Sequence, residues 1–223
     1  MADATHPQAG TKRATSAADP IYADIKARIL SGRLPPATPL RQDEIARNHG
    51  VSKIPVREAL RRLEVENLVV FEKNKGATVR FYTETEILQL LDIRIALECR
   101  ALELAVPNMI PSDFRETQAL LRDYAQKVEV SEWSRLNVQF HQMLYEPCGN
   151  RQLLAMIDDL QQKLGQYLRL LVTEATGLER PMREHQDILC ACMAGDVDAA
   201  VAALRAHIEA TKKEVAAFLR RGA

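Results

Sequence analysis

Val51-Ser52-Lys53-Ile54-Pro55-Val56-Arg57-Glu58-Ala59-Leu60-Arg61-Arg62-Leu63-Glu64 is the stretch on which the reading of this chain turns. Val56, Leu60 and Leu63 stand at i, i+4 and i+7, the spacing of a buried helical stripe. Lys53, Arg57 and Arg61 recur every four residues, so they line up along the same helix beside that stripe. Ser52 suits the N-cap, and Pro55 falls in the first turn, where a missing N–H costs nothing. A second short helix, from about Gln42 to Asn48, stops at Gly50 just before it. A capped helix with a cationic edge, preceded by another short helix and a glycine, has the form that enters a DNA major groove.

The flanks extend this pattern. Upstream, Asp19-Pro20 opens a first helix, with Asp19 as N-cap and Pro20 at the first helical position, and Ile21, Ile25 and Ile29 mark its buried side. Arg33 to Pro39 holds three prolines and reads as a loop. Downstream, Leu68–Phe71 and Ala77–Phe81 read as two short strands joined by a turn over Glu72–Gly76. Three helices and a hairpin make a winged helix-turn-helix order over residues 19–81. Lys75 and Gly76 sit at the wing tip, where a cation and a flexible backbone suit phosphates or the minor groove. Residues 1–18 are small and polar and read as a disordered tail.

Charge divides the chain in the same place. The formal net charge of the 223 residues is zero. Residues 1–80, however, hold 14 Lys/Arg against 9 Asp/Glu, hence +5, and residues 81–223 hold 16 against 21, hence −5. The first part is fit to meet a polyanion and the second is not. Apolar residues make up 47% and aromatics only 5%, with Ala and Leu abundant, which favours helix over sheet. No apolar run is long enough to span a membrane, and the N-terminus lacks the apolar centre of a signal peptide. Cys99, Cys148, Cys190 and Cys192 show neither disulfide nor zinc-finger spacing, so reduced cysteines and a cytoplasmic setting are expected.

From Thr83-Glu84-Thr85-Glu86, which fits a capping box, residues 82–223 show only helical periodicity. Breaks at Pro107, Pro111, Pro147, Gly177, Pro181 and Gly195 predict helices over 84–106, 111–129, 131–146, 150–175, 180–194 and 196–220. Six helices with short connections make a bundle, so the chain is mainly α. In the first of these helices Arg94 and Glu98 fall on the inward stripe of Ile87, Leu91 and Leu102. Two readings stand side by side: a self-contained ion pair, or an Arg kept for an anionic ligand, since its fork matches a carboxylate. His141, His185 and His207 lie on apolar faces of three different helices. Neutral imidazoles are common ligands of divalent metals, and bundles build metal sites from facing helices. The wheel alone fixes neither their depth nor their convergence.

The motifs now add up to a resemblance. Residues 20–80 closely resemble the winged-helix domain of GntR-family transcription regulators. The run V-S-K-x-P-V-R-E-A-L-R-R-L-E is the specific part, joined by Ile21-Tyr22, Gly32, Leu34-Pro35-Pro36, Ile45-Ala46, Leu68, Gly76 and Val79. Residues 84–220 are similar to the all-helical FCD domain of the FadR subfamily, through Arg94, Glu98, Phe140-His141, Gly149-Asn150, Glu184-His185 and His207. Six C-terminal helices look more like its VanR-type branch.

The resemblance implies a homodimeric regulator, most often a repressor, on palindromic double-stranded operator DNA. By position, Ser52, Lys53, Pro55, Arg57 and Arg61 would face DNA, with Lys75 and Gly76 at the wing. It implies a divalent metal, zinc or nickel first, held by Asn137, His141, His185 and His207, and a small carboxylate effector on Arg94. The sequence departs from the family pattern at four places. Asn137 stands where the family has Asp and brings no charge, Ala37 and Asn67 replace glycines, and Lys53 replaces a common Arg. Two other readings compete. The histidines could be structural and metal-free, or they could hold a metal that activates water for hydrolysis. The second needs a general base, and Glu184, beside His185, points about 100° away on the wheel.

Overall fold

The computed structural model describes residues 16–72, 76–125, 130–171 and 179–222. The N-terminal part runs α1 (Asp19–Leu30), β1 (Pro39–Leu40), α2 (Gln42–His49), α3 (Lys53–Val65), β2 (Val69–Glu72) and β3 (Gly76–Val79). The strands form an antiparallel sheet in the order β1-β3-β2, with Val70 and Pro39 both opposite Thr78. The hairpin expected from the sequence is thus present, and β1 is an addition to it. A two-residue strand inside a proline-rich loop has no periodicity to read. Most of the tail expected over 1–18, together with Lys75 and Gly177, lies outside the described residues.

Local chemistry explains these elements. Gly50 caps α2 at φ +63°, and Val51 N–H reaches back to the Ala46 carbonyl, which turns the chain into α3. Ser52 occupies the α3 N-cap with extended backbone, but its side chain makes no capping bond. The first helix corrects one expectation. Its N-cap is Ala18, not Asp19, and the Asp19 carboxylate instead accepts from the Ser16 N–H and pairs with Arg62 of α3 at 2.6 Å. Ala18 is fully buried, so the ordered chain begins before Asp19. Ile21, Ile25 and Ile29 meet Val56, Ala59, Leu60 and Leu63 in one core, closed by Leu68, Val69, Ala77 and Val79. Two non-glycine residues of this part take left-handed backbone, Ala37 at φ 64° and Asn67 at φ 57°. They are the two positions where glycine is replaced. Asn tolerates this region, whereas the Cβ of Ala crowds its carbonyl.

The rest of the chain is helical: α4 (Glu84–Ala105), α5 (Pro111–Ala125), α6 (Val130–Tyr145), α7 (Arg151–Leu171), α8 (Glu179–Met193) and α9 (Val197–Gly222). Short 3₁₀ turns at Val106–Asn108 and Glu146–Cys148 mark the breaks expected at prolines. Thr83 and Glu86 close the capping box at the start of α4. Helix α4 is central, in contact with α6, α7 and α9, while α8 lies along α9 and α5. Tyr82 of the connection packs with Ile87, Leu91, Leu160, Leu164 and Val215, and α1 touches α7. No described helix is long and apolar enough to cross a membrane.

Candidate ligand and metal centre, and the nucleic-acid face

Helices α6, α8 and α9 each turn one histidine into the middle of the bundle. His141 and His185 are fully buried and His207 is 5% exposed. One ring nitrogen from each lies within 4.8 Å of the others. Phe140 stacks on His185 at 4.4 Å between ring centroids and fills the space beside the trio. Burial, added to the positive charges of Arg94 and the neighbouring rings, holds His141 and His185 well below the usual histidine range. Burial lowers His207 too, against the pull of Glu184. Three neutral imidazoles are thus gathered at one point, the protonation state that binds metals.

Each outer imidazole is aimed by a second residue. Tyr145, one turn after His141, donates its hydroxyl to Glu98 Oε2 at 2.7 Å. Burial and the Glu98 charge push that phenol far above its ordinary value, so it remains a donor. Its oxygen accepts from His141 Nδ1 at 3.0 Å, which places the His141 proton on Nδ1 and leaves a lone pair on Nε2. His141 Nε2 is buried and has no hydrogen-bond partner among the described residues. His207 is treated alike: its Nδ1 lies 2.7 Å from Glu184 Oε2. Arg180 grips both Glu184 oxygens at 2.7 and 2.8 Å and Glu214 at 2.5 Å. Burial pushes Glu184 up, but its bonds to His207 and Arg180 outweigh this and hold it below the usual carboxylate value. These residues fit a divalent metal. The donors are neutral nitrogens, one is a buried orphan, and acidic partners fix the tautomers.

Arg94 and Glu98 form the ion pair expected of an i,i+4 spacing, Nε to Oε1 at 2.9 Å, with side chains only 4% and 0% exposed. Burial works against the Arg94 charge, and Glu98 more than restores it. The pair is not closed off, however. Arg94, Trp133, Asn137, His141, Gln161 and Leu164 are among the residues lining a cavity of about 440 Å³, a size suited to a small metabolite. Arg94 is thus paired through Nε and also lines the cavity. Asn137 and His141, one turn apart on α6, share the cavity wall.

The cationic face of α3 is as expected in position but not in freedom. Lys53 lies 2.5 Å from Asp43 of α2. Arg61 pairs with Glu64 at 2.6 Å and stacks on Phe71 of β2 at 4.3 Å. No ion pair among the described residues involves Arg57. Ser52 and Arg57 are exposed, Pro55 is half-buried, and Gly76 opens β3 at φ +83°. Ile54, which the charge pattern passes over, is 79% exposed on the side opposite Val56 and Leu63.

Three functional candidates escape the helical wheel. Tyr145 had a signal, the i+4 spacing from His141. Gln161 donates to Glu98 Oε1 at 3.0 Å from α7, and nothing in its own sequence neighbourhood marks it. Glu184 points away from His185, and for that reason it meets His207 on the next helix. Held by Arg180 and His207, it is not a general base for water, which removes the support for hydrolysis.

Comparison with known proteins agrees with this architecture. The family described as "Bacterial regulatory proteins, gntR family" matches residues 17–79, and the FCD domain matches residues 89–210. The chain is 30% identical over 182 residues to the HTH-type transcriptional regulator McbR of Escherichia coli K12, covering 80% of this chain and 81% of McbR. It is 28% identical over 200 residues to the HTH-type transcriptional repressor GlaR of the same organism, covering 84% and 90%. The solved structure of E. coli McbR/YncC superposes with a TM-score of 0.74 at 26% identity, over 93% of this chain and 99% of that one. A GntR regulator structure from Rhodococcus sp. RHA1 shares the fold at a TM-score of 0.78 and 20% identity, over 90% and 98%. The chain belongs to the GntR family of bacterial regulatory proteins and is a DNA-binding transcription regulator with a C-terminal FCD domain.

Proposed function

We propose that the protein is a homodimeric repressor that binds a palindromic operator and is controlled by a small carboxylate in its metal-containing bundle. The observation that carries this reading is the cavity shared by Arg94, Asn137 and His141, backed by the convergence of His185 and His207 on His141. His141, His185 and His207 would hold a divalent metal, zinc or nickel, with Asn137 as a neutral fourth donor. A metal there supplies a Lewis-acidic anchor for an anion. The chain's own residues do the rest. Tyr145 and Glu184 hold two imidazole protons away from the trio, Glu98 sets the angle of Arg94, and Trp133 and Leu164 exclude water.

At the other end, Ser52, Lys53, Pro55, Arg57 and Arg61 would lie in or beside the major groove, with Lys75 and Gly76 reaching along the backbone. Lys53 and Arg61 would exchange Asp43 and Glu64 for phosphates, and Arg57 is the candidate for a base contact. Exposed Ile54 would add an apolar contact of the kind a thymine methyl offers. Ligand-driven adjustment of α4 and α7 would reach the winged domain through the contact of α7 with α1 and change the spacing of the two α3 helices.

Fluorescence anisotropy with fragments upstream of the protein's own gene tests the DNA arm, and metal analysis of untagged protein tests the other. The reading fails if no fragment binds at low salt, or if the purified protein neither contains nor takes up one equivalent of zinc or nickel.

A further inference from the structure

One residue of the cavity wall carries an acceptor for which the acid-sensing reading provides no donor. Gln161 is 7% exposed and lines the cavity. Its Nε2 donates to Glu98 Oε1 at 3.0 Å, while its Oε1 is buried with no hydrogen-bond partner among the described residues. Chemistry fixes which way the amide points. The facing Glu98 oxygen already accepts from Arg94, and turning the amide over would set acceptor against acceptor. Arg94 and Gln161 are therefore neighbours on the same carboxylate oxygen, one offering donors and the other a bare acceptor. A buried acceptor left unmade is costly, so a ligand that packs against Gln161 and reaches this oxygen gains by bringing a donor of its own. An ammonium could donate, but it would stand beside the Arg94 guanidinium. A hydroxyl donates without adding charge.

We propose that Gln161 selects acids bearing a hydroxyl close to the carboxylate, so that the effector is a small hydroxycarboxylic acid and not its deoxy counterpart. This rests on the reading of the cavity as an acid-binding site. Calorimetric titration of the full-length, zinc-loaded protein with matched pairs tests it: lactate and propionate, malate and succinate, 3-hydroxybutyrate and butyrate. At least one hydroxy acid should bind about tenfold tighter than its partner, the effect of one well-made hydrogen bond at a buried site. Gln161→Leu should bring that ratio close to one. Loss of the Nε2 bond to Glu98 weakens both members of a pair alike, so the ratio, not the affinity, is the readout. If the leucine variant does not fold, Gln161→Met keeps the length and still lacks the carbonyl. Equal binding within every pair overturns the role of Gln161 while leaving the acid site in place. A preference that survives both substitutions also overturns it, because the selection then lies with the metal. No binding of any acid overturns the acid site itself, and this inference with it.

Discussion

The outer face of α3 and the inner face of α4 both carry charge at helical spacing, and the protein uses them in opposite ways. On α3, Lys53 and Asp43 pair at 2.5 Å with side chains 63% and 69% exposed. On α4, Arg94 and Glu98 pair at 2.9 Å almost entirely out of water. An exposed pair is worth little, because solvent screens it and two long side chains lose freedom to form it. It can be exchanged for a phosphate at small cost. A buried pair is held because neither partner can be left alone without a large penalty. The exposed charges are therefore available for exchange, whereas the buried pair stays together and fixes how Arg94 meets the cavity. The same residue types serve for contact in one place and for positioning in the other.

Breaking the buried pair and the exposed Arg61–Glu64 pair of α3 from the acidic side gives the widest separation. Glu98→Ala should destabilise the bundle by about 3–5 kcal/mol, since it strands Arg94 in the interior, whereas Glu64→Ala beside Arg61 should cost under about 1 kcal/mol. Urea denaturation of the two variants makes the comparison, and equal losses would erase the distinction drawn here. Two single substitutions sharpen it at about 1–3 kcal/mol. Arg57→Ala should weaken operator binding by that amount with unfolding unchanged. Tyr145→Phe should lower metal affinity about 10- to 100-fold with DNA affinity of the apo protein unchanged, because only the aiming of His141 is lost. A chelator competition assay and an anisotropy titration on both variants would show whether the two effects can be separated.

Acidity discriminates between the regions as well. The three buried histidines have folded values below the 6.5 of the free side chain, so below that pH the unfolded chain binds more protons than the folded one. Stability of the metal-free protein should thus be level above neutrality and fall as the pH drops below 6.5. His141→Gln should flatten part of that fall. A stability profile level down to pH 5 would contradict neutral burial of the trio. The smallest effect lies in the winged part. Ala37→Gly removes the Cβ from a left-handed backbone and should stabilise by under about 1 kcal/mol, the relief being partly offset by a freer unfolded chain. Asn67→Gly should change little, since Asn already accepts that conformation.

The winged part was legible almost to the residue because its signals are local. The Val56–Leu60–Leu63 stripe, Gly50 and the hairpin each depend on neighbours in sequence, and only β1 lacked a pattern to betray it. The bundle was legible as helices, and its inward histidines were found because a histidine on an apolar stripe stands out. The residues that hold His207 and Glu98 in place were not, Glu184 and Gln161 above all. A wheel tells which side of a helix faces inward, not which helix it faces. Glu184 was set aside for pointing away from His185, but that direction aims it at His207. Tyr145 belongs to the same class, since an inward Tyr reads as core until the carboxylate that receives its hydroxyl is known.

Glu98 receives Arg94 and Gln161 on one oxygen and Tyr145 on the other, with no exposure to solvent. Three helices thus meet on a single side chain. Any descendant of this sequence that altered Glu98 would disturb the cavity-lining Arg94, the cavity amide and the histidine tautomer in one step. Divergence toward new signals is therefore channelled to wall residues outside that junction, such as Asn137, Trp133 and Leu164. Relatives that sense different molecules should differ there first, with the carboxylate between them unchanged.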